Sequence, residues 1–101
     1  MNMQALMQQA QRMQREMQKK QQELEAKTFH IESAGGAISI DIKGTRQIES
    51  IQIDKDAIDP EDKEMLEDMI KIAINEAISV VDAAFDQLNA QMTNGMRMPG
   101  F

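Results

Sequence analysis

The chain has 101 residues, enough for one small domain near the lower end of what a single core stabilises well. It contains no Cys, which excludes a disulfide framework and any Cys-based zinc site. Its net charge of −6 argues against a generic nucleic-acid binder, whose usual footprint is a basic stripe. From the N-terminus, apolar side chains fall at Met3, Leu6, Ala10, Met13, Met17 and Leu24, an a/d heptad seam whose missing position is Lys20. Gln, a good helix former, fills much of the remainder, and the spacing predicts an amphipathic helix over residues 3–26. A Gln/Met tract of low complexity also permits disorder, and the sustained heptad phase is what favours the helix.

At Thr28 the period changes. Phe29 and Ile31 alternate with His30 and Glu32, and Ser33-Ala34-Gly35-Gly36 supplies a turn whose glycines are free to take positive φ. Ile38, Ile40 and Ile42 alternate with Ser39, Asp41 and Lys43, the pattern of a half-buried strand. Gly44-Thr45 reads as the next turn, and a third strand holds Ile48, Ile51 and Ile53. Ile48 and Ile51 differ in parity, so either a bulge lies near Glu49-Ser50 or the strand begins at Ser50. The three strands, over about 28–54, form an antiparallel meander with one apolar face.

Asp59-Pro60-Glu61-Asp62 reads as a helix start, with Asp59 as N-cap, Pro60 at the first helical position and acids complementing the dipole. The helix predicted over residues 60–92 buries Leu66, Met69, Ile70, Ala73, Ile74, Ala77, Val81, Ala84, Phe85, Leu88 and Met92. Ile72, Ile78 and Val80 widen that stripe, which predicts packing against the sheet and a further element. Residues 1–92 therefore read as a single domain, and residues 93–101, punctuated by Gly and Pro, as a flexible tail.

The fold class is α+β, in the order α-β-β-β-α, with a three-stranded antiparallel sheet. At 1.5 Å per residue the helices would run about 36 Å and about 50 Å, against a diameter of about 33 Å for a compact chain of this size. Both should protrude beyond the sheet, and an overhanging apolar seam is costly in water unless another chain covers it. A homodimer satisfies that demand economically, because one patch serves twice about a twofold axis. Ten Met residues and only three aromatics, all Phe, make the apolar surface adaptable. No apolar run approaches the roughly 18 residues of a membrane span, and no secretion signal is recognisable, so no membrane partner and a cytoplasmic location are expected.

Charge is unevenly distributed. Residues 1–27 carry five basic and three acidic groups, a net +2, whereas residues 59–92 carry two basic and nine acidic groups, a net −7. Positive charge is thus concentrated in the first helix.

Several stretches together resemble the YbaB/EbfC family of nucleoid-associated proteins. They are the opening run from Met3 to Gln14, the Gly44 turn, Ile51-Gln52-Ile53-Asp54, the run from Asp62 to Ile70, and the closing Met98-Pro99-Gly100-Phe101. The likeness covers essentially the whole chain in order. It implies an intertwined, tweezer-like homodimer that binds double-stranded DNA, sits in the nucleoid, and acts in nucleoid organisation and gene regulation. The strongly acidic second helix departs from a simple DNA-binding pattern.

Read as residues, Arg12, Arg15 and Lys19 recur at i, i+3 and i+7 and share one helical face, with Lys20 beside it and Lys27 beyond. Cations so placed would neutralise phosphates and release counterions, giving sequence-tolerant, salt-sensitive binding. The competing reading is a solvated face in which Glu16 and Glu23 pair with Lys20 and Lys27. Lys20, at the seam position, also suits a register-setting role. Lys43 and Arg46 flank a tight turn and are further phosphate candidates, against the plainer reading of solubilising turn charges. Met3, Leu6, Ala10, Met13, Met17 and Leu24 are the candidate dimer or partner seam.

No recognition-helix motif or interleaved aromatics point to base-edge readout, so any DNA binding should rest on backbone charge and duplex shape. The acidic cluster Asp59, Glu61, Asp62, Glu64, Glu67 and Asp68 lacks the converging loop that a hard cation needs, and no metal or cofactor is expected. His30, the only His, has no nucleophile motif or ligand spacing around it and reads as a surface residue. No catalytic residues and no small-molecule substrate are expected. The alternative to a DNA-binding protein is a dimeric scaffold whose Met-rich helical arms dock a protein partner.

Overall fold

A computed structural model describes the backbone of residues 2–96 and the side chains of residues 2–91. The elements run α1 (Met3–Ala26), β1 (Thr28–Ser33), β2 (Ile38–Lys43), β3 (Ile48–Ile53) and α2 (Lys63–Met96). Short 3-10 turns lie at Ala34–Gly36 and Lys55–Ala57. The sheet is antiparallel in the order β1-β2-β3, as the alternating pattern predicts.

The heptad seam places α1 over the expected residues. Its first turn is closed by Asn2, whose side chain accepts from the Gln4 N–H at 3.1 Å. In the β1–β2 turn Gly35 and Gly36 adopt φ of +67° and +93°, which a side chain would resist. In β3 the parity conflict resolves as a bulge. Asp41 pairs with Ser50 while Ile42 pairs with Ile48, leaving Glu49 as the extra residue. That insertion turns Ile48 to the same face as Ile51 and Ile53.

The second helix begins three residues later than Pro60. Asp59 accepts from the Glu61 N–H at 2.9 Å and closes a local turn, whereas Asp62 accepts from the Met65 N–H at 3.2 Å and is the cap of α2. The cap is therefore Asp62 and not Asp59. The helix also continues through Met96, because a Gly near a helix end costs only about 1 kcal/mol, too little to stop it. Thr93 to Met96 are thus helical, while the rest of the expected tail, residues 97–101, lies outside the described residues.

Ile31, Ile38, Ile40 and Ile42 from the sheet meet Ala73, Ala77 and Val81 of α2 in one buried cluster. The small Ala residues at i and i+4 let α2 lie close on the sheet, where it packs mainly across β1 and β2. The core is correspondingly narrow. Overall extents are 72 × 28 × 16 Å with a radius of gyration of 20.1 Å, well above the roughly 13 Å of a compact chain this long. No residue of α1 is buried, and the last turns of α1 lean on the C-terminal half of α2. The first helix therefore projects as an arm. The Met-rich tip of that arm is open to solvent, with Met3 76% exposed.

Candidate nucleic-acid interface

Arg12, Arg15 and Lys19 stand exposed along the arm. With 3.6 residues per turn, their mean direction lies roughly 160° around the helix from that of the seam. The basic face and the apolar seam are opposite sides of one rod. Gln8, Gln11 and Glu16 border a shallow recess with Arg12 and Arg15, so the surroundings are polar and mostly uncharged. Among the described residues none of Arg12, Arg15, Lys19 and Lys20 is in an ion pair, and the expected pairs of Glu16 with Lys20 and Glu23 with Lys27 do not form. A phosphate approaching this face would meet cations not already engaged by carboxylates.

The seam is only partly shielded. Met13, Met17 and Leu24 are half-buried, while Met3, Leu6 and Ala10 are exposed. Lys20 and Lys27 sit elsewhere, lining a groove between the end of α1 and α2 together with Glu23, Leu24, Ala84, Gln87, Leu88 and Gln91. The Lys27 ammonium also lies 5.0 Å from the centre of the Phe29 ring, a cation–π distance.

Lys43 and Arg46 flank the β2–β3 turn but differ in engagement. Lys43 is half-exposed opposite Thr28. Arg46 donates from Nε to Asp82 Oδ1 at 3.1 Å, and its Nη2 pairs with the same oxygen. Its guanidinium carbon is 5.7 Å from the centre of the Phe85 ring. The turn is thereby fastened to α2, a contact between residues 36 apart that local pattern does not reveal. Gly44 completes the junction on the other side. Its N–H donates to the Lys27 carbonyl at 3.0 Å, and a Cβ there would lie 1.9 Å from the Leu24 carbonyl oxygen. The glycine is needed for close approach of two backbones, a second role beyond the turn read from sequence.

The seven basic candidates therefore fall into three places: an arm face, a groove at the arm's base, and a turn. A model of the YbaB/EbfC DNA-binding family matches residues 1–96. The chain belongs to this family. A nucleoid-associated protein of Clostridium novyi is 44% identical over 100 residues, spanning 99% of this chain and 88% of its own length. Another, from Lactococcus lactis, is 40% identical over 96 residues, spanning 95% of this chain and 97% of its own. An uncharacterized protein of Helicobacter pylori superposes with a TM-score of 0.71 at 22% identity, covering 92% of this chain and 98% of that one, and shares the fold.

In this YbaB/EbfC protein the outer face of the sheet carries a polar cluster that the sequence pattern only hinted at. His30 and Asp41 face each other across β1 and β2, with Nδ1 to Oδ1 at 2.7 Å, and the Ser50 hydroxyl donates to Asp41 Oδ2 at 3.0 Å. The hydrogen bond to Asp41 is the main cause that raises the His30 pKa above its ordinary 6.5. The same bond, with help from Ser50, lowers the Asp41 pKa below 3.8. The arrangement does not activate a nucleophile, because Ser50 bonds the carboxylate and not the imidazole. It braces three strands. Among the described residues no group of three or more His, Asp or Glu could hold a metal, and no helix is long and apolar enough to cross a membrane.

Proposed function

We propose that the protein binds double-stranded DNA as a homodimer, with its arms gripping the duplex in the manner of tweezers, and acts in nucleoid organisation and gene regulation. The observation that carries this reading is the exposed face of Arg12, Arg15 and Lys19, in no ion pair among the described residues, on a projecting helix in a chain whose second helix is acidic. Membership of a DNA-binding family and the nucleoid-associated relatives support it. Contacts from this face would go to phosphates, so affinity would be sensitive to salt and tolerant of sequence.

The dimer is supported by what one chain leaves uncovered. The inner face of β3 presents Ile48 and Ile51, the latter 41% exposed, because α2 lies mainly over β1 and β2. On α2, Ile72 is 51% exposed, and Met65 and Val80 are also open. Ile72 and Val80 border β1 while Ile48 and Ile51 lie on β3, so these and the seam of α1 are separate apolar patches of the kind that a second copy buries.

A titration of labelled duplex DNA at several salt concentrations tests the function, using wild type and a variant with Arg12, Arg15 and Lys19 changed to Gln. Each phosphate contact contributes about 0.9 to the slope of log affinity against log salt. Six contacts in a dimer would thus make the variant's slope shallower by about 5. An unchanged slope, or no binding by wild type at low salt, would overturn the reading. The exposed Met3, Leu6 and Met7 at the arm tip favour a second reading, a scaffold that docks a protein partner. Under that reading Leu6→Gln and Met7→Gln would abolish partner capture, and DNA would compete for nothing.

A further inference from the structure

Two attachments meet in the short turn between β2 and β3. The Lys43 N–H donates to the Gln47 carbonyl and the Arg46 N–H to the Lys43 carbonyl, both at 2.8 Å, which closes the hairpin. Arg46 then adopts φ of +71°, a left-handed conformation that ordinarily selects Gly or Asn. An arginine held there is explained by what its side chain reaches. It pairs with Asp82 and lies over Phe85, and these two residues, three apart, share one face of α2. Two residues earlier, Gly44 is bonded to the Lys27 carbonyl and pressed against the backbone of Leu24 and Glu25 at the end of α1. The same turn therefore holds the base of the arm on one side and the middle of α2 on the other.

We propose that Arg46 is a positioning residue for DNA binding: with Asp82 and Phe85 it sets the direction of the arm that carries Arg12, Arg15 and Lys19. This rests on the DNA-binding reading above. Leverage makes the base matter. Arg12 lies fifteen residues from Lys27, about 22 Å along the helix. A tilt of about 5° at the base would displace Arg12 by about 2 Å, several times the spread of about 0.5 Å over which a charged hydrogen bond to phosphate holds.

The competing role for Arg46 is direct contact with phosphate, and the charge of Asp82 separates the two. Asp82→Asn removes a negative charge and releases Arg46. Were Arg46 a phosphate ligand, that change would leave DNA affinity equal or higher, and Arg46→Gln would make the salt slope shallower by about 1 for each site. Positioning predicts the opposite: Asp82→Asn and Arg46→Gln each weaken binding by about tenfold at low salt, with the slope unchanged. Arg46→Lys should resemble Arg46→Gln, because an ammonium keeps the charge but loses the planar fork.

Arm direction is measurable without DNA. The chain has no Cys, so spin labels at Gln9→Cys on α1 and Ala90→Cys on α2, in labelled chains diluted with unlabelled ones, report one distance. Asp82→Asn should shift or broaden that distance while the circular dichroism spectrum stays that of wild type. A distance distribution identical to wild type, or DNA binding by Asp82→Asn at least as tight as wild type, overturns the proposal. Should wild type fail to bind DNA, the DNA-binding reading falls, and the distance measurement still decides whether the turn braces the arm.

Discussion

Gly44→Ala is expected to loosen the first helix from the rest of the molecule. An added Cβ would stand 1.9 Å from the Leu24 carbonyl oxygen, 2.7 Å from the Leu24 carbonyl carbon and 2.8 Å from the Glu25 Cα. All three are backbone atoms, so no side-chain rotation relieves the clash, and the helix end must retreat by about 1.5 Å to reach ordinary contact. Retreat stretches the 3.0 Å bond from the Gly44 N–H to the Lys27 carbonyl, worth about 1 kcal/mol. Overpacking of this kind adds about 1–3 kcal/mol, for a total of about 2–4 kcal/mol. In a domain this small each kcal/mol moves the midpoint by several degrees, so Tm should fall by about 10 °C or more. Thermal unfolding followed by circular dichroism, at one fixed protein concentration, checks it. Gly35→Ala is the control: its φ is +67° but nothing lies within 4 Å of its missing Cβ, so only the backbone cost of about 1 kcal/mol applies. A Gly44→Ala midpoint within about 2 °C of wild type, or a loss no larger than that of Gly35→Ala, would refute the close-approach reasoning.

The capping assignment predicts that Asp62→Ala lowers stability by about 1 kcal/mol, and that Asp59→Ala costs distinctly less. Denaturant midpoints compare the two, and equal losses would contradict the placement of the cap. The His30–Asp41 pair predicts a pH window. Because the folded His30 pKa is raised, its contribution is fully present below the unfolded value of 6.5 and is lost as pH rises through the higher folded value. Asp41, with a lowered pKa, contributes above 3.8 and loses that contribution as pH falls through its folded value. Imidazole resonances of the single His should therefore titrate above 6.5, and Asp41→Asn should bring the midpoint down. For the dimer, Ile51→Asp or Ile72→Asp should weaken self-association at least about tenfold, the effect of about 1.4 kcal/mol. Light scattering across a dilution series reads this, and unchanged dissociation in both variants would remove those faces from the interface.

Much of the fold was legible because it is written in periodicity. The 3–4 steps from Met3 to Leu24 define α1, and the alternation of Ile38, Ile40 and Ile42 defines the central strand. The parity of Ile48 and Ile51 narrowed β3 to a bulge near Glu49-Ser50 or a start at Ser50, and the pairing of Ile42 with Ile48 decides for the bulge. The start of α2 was not, because Asp59-Pro60 and Asp62 both carry cap chemistry and only geometry shows which carboxylate meets a helical N–H. The end of α2 escaped for a related reason: a single glycine at position 95 is too weak a stop.

The candidate site divides along the same line. Arg12, Arg15 and Lys19 share a face by spacing alone, and the structure adds that no carboxylate engages them among the described residues. Arg46 read as a turn charge, since its tie to Asp82 joins positions far apart in the chain. Its signal was present but faint: an arginine where a tight turn would ordinarily take Gly or Asn. Gly44 was read only as part of a turn with Thr45, whereas its missing side chain is what admits the end of α1.

Sedimentation velocity of the protein with a fluorescent duplex, at low and at moderate salt, tests the central claim of one helix with two partners most directly. The expected result at low salt is a complex of the duplex with an even number of chains. Raising the salt should release the DNA while the free protein continues to sediment as two chains, because the apolar seam is indifferent to screening and the Arg12–Arg15–Lys19 face is not. A single chain on the duplex, a complex that withstands salt, or dissociation of the dimer together with the DNA would contradict it.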